Sequence, residues 1–189
     1  MTLQSWSAGR TRQPANEALT DVRDDLIHAQ AVIPHDPAIH ELLGLIDARR
    51  GERQEYLPSA ARHFAEAIEL RPTSPQTWGD LAAVKYRLGD TGPAFETALN
   101  RASMLGRFEP DVQAMVANYG LAVWNELAPQ TRKSIEATIA AAMKRNSLEM
   151  LQIAERRGRL DIACRHFAAS SRRADTKWSQ LCQSMEATS

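Results

Sequence analysis

Across its 189 residues the chain has no run approaching the roughly 18 consecutive apolar residues that a membrane-spanning helix needs. Its first residues, MTLQSWSAGRTRQ, lack the apolar core of a signal peptide. These residues read as a water-soluble domain, and an anchor preceding Met1 would leave no trace in them. Aromatics make up only 6% of the chain against 43% hydrophobic residues in all, so its interior must be alanine-rich helix packing rather than stacked rings. Strand signals are nearly absent. There is no Gly-rich phosphate loop, no HExxH and no Gly-x-Ser-x-Gly elbow, which removes three common routes to catalysis. Carboxylate pairs such as Asp24/Asp25 sit on expected helix surface without an acid–base signature.

What is present is a repeat. Pro37, Pro75 and Pro110 each open a near-copy of one segment: PAIHELLGLIDARRG, PQTWGDLAAVKYRLG and PDVQAMVANYGLAVW. Each copy has an apolar residue six places after its proline (Leu43, Leu81, Val116), then a small one (Gly44, Ala82, Ala117) that lets a second helix approach closely. A unit of this kind cannot bury its apolar face alone and must stack on its neighbours. The second half of the unit is also legible: Ala60, Phe64 and Ala67 share one helical face, and Pro72 lies just beyond its end.

In these residues the chain resembles a tetratricopeptide repeat, best from Pro72 to Asp90. Trp78, Leu81, Ala82, Gly89 and Ala94 fall where that family places its tryptophan, leucine, small residue, turn glycine and second-helix alanine. The resemblance implies an all-α, superhelical solenoid of antiparallel helix pairs with Trp78 largely buried. Four residues beyond a 34-residue unit fall within Gly51 to Pro58, where an extra helical turn would absorb them, and Gln113 replaces the tryptophan of the third copy. The organisation expected is a disordered segment over 1–15, a repeat domain over 16–168, and a polar linker with a capping helix over 169–189. Helices are expected at Asn16 to Val32, with Leu19, Val22, Leu26 and Ala29 on one face, and at about 37–50, 58–70, 75–88, 91–105 and 110–127. Pro129 to Arg145 follows, then a short hairpin of Leu148–Arg157 and Leu160–Phe167, and a terminal helix at Lys177–Met185. Gly51 and Gly89 stand where a left-handed helix cap is favoured.

The net charge is zero but unevenly spread: residues 1–130 hold 12 Lys+Arg against 17 Asp+Glu, and residues 131–189 hold 11 against 6. The basic residues come without interleaved aromatics or a nucleic-acid motif, so nucleic acid is not an expected partner. Of the five histidines, His63 precedes a core phenylalanine and His40 takes the family's tryptophan position, so a structural role is favoured for both. Cys164, His166 and Cys182 match no standard zinc spacing. No metal or cofactor is expected.

Cys164 and Cys182 bracket the linker SSRRADT. The helix 160–167 has no following unit, and folding KWSQLCQSM back over it would bury Trp178 and Leu181 and bring Cys182 toward Cys164. A disulfide there would stabilise by roughly 3 kcal/mol in the chain-entropy model and imply an oxidising compartment; two reduced thiols in a cytosolic protein are the alternative.

The order of RASMLGRFEPDVQ, NYGLAVWNEL, a proline-led alanine-rich helix, AERRGRLDIAC and a final W-x-x-L-C from Trp178 to Cys182 is similar to the short repeat proteins of bacterial exopolysaccharide biosynthesis clusters. Those are typically anchored at the N-terminus with their repeats outside the cytoplasm. The resemblance implies a non-catalytic protein-binding scaffold in a polysaccharide synthesis or export assembly, periplasmic and held to the inner membrane by a segment outside these residues. The partner would be a peptide or helical segment of another protein. The tetratricopeptide pattern implies a groove lined by Glu41, Arg49, Gln76, Gly79, Tyr86, Asp111 and Asn118. A glycan-binding or enzyme-modulating subunit is the rival, with Tyr86 and Tyr119 as its aromatic candidates. Capture of acidic C-terminal tails is disfavoured, because Glu41, Leu45 and Asp80 stand where that role needs Lys, Arg or Asn.

Overall fold

The computed structural model describes residues 7–50, 54–167 and 176–186, with side chains over 18–50, 54–167 and 178–184. Among these residues all regular structure is helical: α1 (Ser7–Val32), α2 (Pro37–Arg50), α3 (Leu57–Leu70), α4 (Pro75–Arg87), α5 (Pro93–Leu105), α6 (Pro110–Ala122), α7 (Pro129–Arg156), α8 (Leu160–Cys164) and α9 (Thr176–Glu186). Proline begins α2, α4, α5, α6 and α7, where its missing N–H removes nothing from the helix ladder. The chain divides into two compact units, Met1–Thr73 and Ser74–Ser189, where the sequence suggests one repeat domain.

In the first unit α1 packs on α2 and α2 on α3. Leu43 is fully buried, and Gly44 next to it allows the approach that the repeat pattern implies: a Cβ added there would lie 2.8 Å from Phe64 Cε1. Ala60, Phe64 and Ala67 form the inward face of α3. Buried Asp47 is paired with Arg23 of α1, whose Nε donates to Oδ1 at 2.7 Å. Helix α1 already includes residues 7–15, ahead of the expected start at Asn16. Val22, expected on its inner face, is exposed. Within the insertion, residues 54–56 form a short 3-10 turn before α3, and residues 51–53, with the Gly51 cap, lie outside the described residues.

In the second unit α4 pairs with α5 and α6 with α7, while α4 also meets α6 and α5 meets α7. Equivalent helices of successive pairs thus lie side by side, as a solenoid requires. Leu81, Ala82, Val116 and Ala117 are buried. Helix α5 departs from the family register: it starts at Pro93, and Phe95, Ala98, Leu99 and Ala102 face inward while Ala94 is exposed. The larger ring at 95 takes the interior place that the alanine holds in the pattern, because it removes more apolar surface from water. Trp78, expected to be largely buried, is mostly covered but less so than His40 and Gln113 at the equivalent places, which are 5% and 6% exposed. Gln113 Nε2 donates to the Arg107 carbonyl at 2.7 Å, tying down the turn before α6.

The start of α7 is capped from α5. Glu96 accepts from the Ala128 N–H at 3.2 Å and from the Thr131 hydroxyl, placing a carboxylate at the positive end of a helix. Asn146, at φ −136° and ψ 50°, breaks α7 into two helical stretches, as the separate spans Pro129–Arg145 and Leu148–Arg157 anticipate. Gly89 and Gly158 adopt φ of 74° and 65°, the left-handed region in which glycine carries no Cβ penalty. Gly158 turns the chain into α8, which packs on α7. No helix among the described residues is long and apolar enough to cross a membrane.

Candidate functional site

The seven groove positions divide between the units. In the first, Glu41 is half-buried and ion-paired with Arg71, and Arg49 is exposed on the last turn of α2. The other five lie on α4 and α6, where side-by-side packing gathers several side chains with interface chemistry. Gln76 is exposed and its Nε2 donates to Met115 Sδ at 3.2 Å. Gly79 lies beneath that methionine, with Met115 Cε 2.7 Å from the place its Cβ would take. Gly79 therefore admits α6 to α4 and presents nothing to a ligand. Asp111 is exposed at the first turn of α6.

At the other end of the same helices Tyr86 and Tyr119 form a ring pair, with centroids 5.4 Å apart and planes tilted by 51°. Arg157, the capping residue just after α7, lies 5.7 Å from the centre of the Tyr86 ring, and its Nε donates to Asn118 Oδ1 at 3.0 Å. Burial raises the Tyr119 hydroxyl above the usual tyrosine range, against the lowering effect of the Arg87 and Arg157 charges. Met115 and Arg157 were not among the residues suggested by the repeat pattern. Met115 lies five positions into α6, one turn from Tyr119, and the stop signal Arg157-Gly158 was the visible trace of the arginine.

In the first unit the sequence also missed a cluster. His40 and His63, given structural roles, are both buried and meet at Glu66. Burial lowers the His63 pKa, the Arg62 charge adds to this, and the charges of Glu66 and Asp47 oppose it. The spacing His63-x-x-Glu66 on one helix was the readable signal.

At the C-terminal end α8 and α9 meet, and Cys164 and Cys182 form a disulfide with a Cα–Cα distance of 5.2 Å. Trp178 is 4% exposed and Leu181 only partly covered, while the linker over 168–175 lies outside the described residues. On α5 and α7 a hollow of about 240 Å³ is bordered by Ser103, Met104, Arg107 and Thr138. It falls below the roughly 300 Å³ of the smallest usual small-molecule sites.

No protein-family description matches the chain, and no curated protein sequence matches it. Among solved structures it is similar to one titled "Crystal structure of MamA", at a TM-score of 0.59 and 12% identity, over 94% of this chain and 96% of that one. At that identity the likeness speaks to fold alone, and with the paired helices it makes this an all-α, tetratricopeptide-like array.

Proposed function

We propose that the chain is a non-catalytic scaffold that binds a segment of another protein on the face of α4 and α6. The observation that carries this reading is the grouping of Tyr86, Tyr119 and Arg157, with Met115 one turn before Tyr119 on α6, against Gln76 of α4. Tyrosine, methionine and arginine are the side chains enriched at protein interfaces, and tyrosine and arginine dominate their energetics. The partner fitting this surface is a polar or helical segment that sets apolar side chains against the tyrosines and an acidic group near Arg157. A sugar ring is less well served, since rings tilted by 51° share no flat platform.

The finer reading places the scaffold in a periplasmic polysaccharide synthesis or export assembly. It is supported by the order of sequence motifs and by the suitability of a paired Cys164 and Cys182 to an oxidising compartment. The test is a pull-down from the native host with the full chain and with a Tyr86→Ala/Arg157→Ala variant. A protein retained by the wild type should be retained at least about tenfold less by the variant, as expected on losing two interface anchors of about 1 kcal/mol or more each, at an unchanged helical content. Equal retention would move the site elsewhere.

A further inference from the structure

The buried histidines of the first unit converge on one carboxylate oxygen. His63 and Glu66 are one turn apart on α3 and His40 comes from α2. His40 Nδ1 lies 2.9 Å and His63 Nδ1 3.4 Å from Glu66 Oε2, and one ligand atom from each of the three residues falls within 4.8 Å of the other two. Both imidazoles are at least nine-tenths buried, while Glu66 is about one-third exposed.

The hydrogen bonds around His40 fix its orientation. Its Nε2 is 3.1 Å from the Pro34 carbonyl oxygen, which can only accept, so Nε2 carries a proton. The Nδ1 of the neutral ring then turns a lone pair toward a carboxylate oxygen at 2.9 Å, and two lone pairs at that distance repel unless a positive charge lies between them. The amide nitrogen of Gln30 is 3.5 Å from Nδ1, at the outer limit of a hydrogen bond. His63 Nδ1 and Glu66 Oε2 are sealed from solvent and make no hydrogen bond, an arrangement that is costly for buried polar atoms.

We propose that His40 Nδ1, His63 Nδ1 and Glu66 Oε2 bind one divalent transition-metal ion of the zinc class, with water in the fourth position, so that the ion ties α2 to α3. Tetrahedral bonds of about 2.0–2.1 Å hold ligand atoms about 3.3–3.4 Å apart; the two edges to Glu66 are 2.9 and 3.4 Å, and the imidazole rings, with centroids 6.0 Å apart, must turn toward each other to close the third. Two imidazoles and one carboxylate suit zinc, cobalt, nickel or copper rather than calcium or magnesium. The Pro34 carbonyl is the outer partner that keeps His40 Nδ1 free to ligate. Arg62 works against the ion: its guanidinium is 3.1 Å from Glu66 Oε1 and 3.4 Å from His63 Nε2. Its side chain is largely exposed, so it can leave His63 and keep Oε1, which leaves Oε2 to the metal.

The full chain, stripped with chelator and titrated with zinc chloride, should bind one ion at this site with micromolar or tighter affinity. Its unfolding temperature should rise with zinc concentration, and cobalt in the same place should give the intense visible bands of a four-coordinate ion. Glu66→Gln preserves shape and removes the anionic ligand, and should weaken binding by at least about tenfold, since losing an outer partner alone costs 10–100-fold. A His28→Gln/His35→Gln variant at exposed positions should bind as wild type does. No uptake, uptake indifferent to Glu66→Gln, or uptake lost in the His28/His35 variant would each overturn the site and leave the cluster with a shared proton only. Circular dichroism without zinc checks folding, and if Glu66→Gln fails to fold, a six-coordinate cobalt spectrum in the wild type would overturn the proposal by itself.

Discussion

Tyr119 shows how one side chain joins packing to the proposed binding face. Half-buried beside Tyr86, it is held above the usual tyrosine pKa by burial, with Arg87 and Arg157 opposing. A group whose pKa is raised on folding contributes stability that is fully present below the unfolded value, about 10 for tyrosine, and is lost as pH climbs through the folded value. The urea midpoints of wild type and Tyr119→Phe should therefore differ by a constant amount up to about pH 9.5. Above about pH 10 the wild type should lose stability faster than the variant. A difference that stays constant to pH 11 would mean that the hydroxyl is as well hydrated folded as unfolded. The importance of Tyr119 was half legible, since NYG announced an aromatic near the end of α6 but not that Tyr86 would meet it. Gly79 shows the opposite case: the repeat pattern assigns a position to a ligand-facing stripe, and only packing shows Met115 lying over it.

Helix ends were the most legible elements, because their signals are local. Proline at the first position fixes a start through its preset φ, and Gly89 and Gly158 fix stops through φ values that other residues rarely adopt. The phase of α5 was not legible, because which face turns inward is decided by competition between Phe95 and Ala94 for the core. Gly158 links an element's end to the proposed site, since it follows the arginine that touches Tyr86 and Asn118. Nothing lies within 4 Å of the place its Cβ would occupy, so Gly158→Ala strains only the backbone, by about 1–2 kcal/mol. Thermal unfolding should show that loss, with Gly158→Asn falling between alanine and wild type. An alanine variant as stable as wild type would mean that the turn adopts another conformation in solution. If the α4 and α6 face binds as proposed, the alanine variant should also bind its partner more weakly through misplacement of Arg157.

At the scale of the whole chain, the repeat made the class of fold readable from three proline-led copies, yet the division after Thr73 was hidden because those copies continue across it. The His40, His63 and Glu66 cluster was hidden for a related reason: it joins residues of two helices, and periodicity describes one helix at a time. The end of the array was more open to reasoning, because α8 has only five residues and a last helix without a following unit needs a cover. Helix α9 supplies it by burying Trp178 against an end where Ile162, Ala163 and Cys164 are also buried. Tying α9 to α8 through Cys164 and Cys182 restricts the unfolded chain over a loop of 18 positions. Reduction should accordingly cost roughly 3 kcal/mol, read as a lower urea midpoint for the fully reduced chain. Protein purified from its native compartment and alkylated without reductant should show no modified cysteine and a mass two hydrogens below that of the dithiol chain. Two alkylated cysteines would mean that the thiols are merely neighbours in the cell, removing the support that the pair gives to a periplasmic scaffold while leaving the helical cover intact.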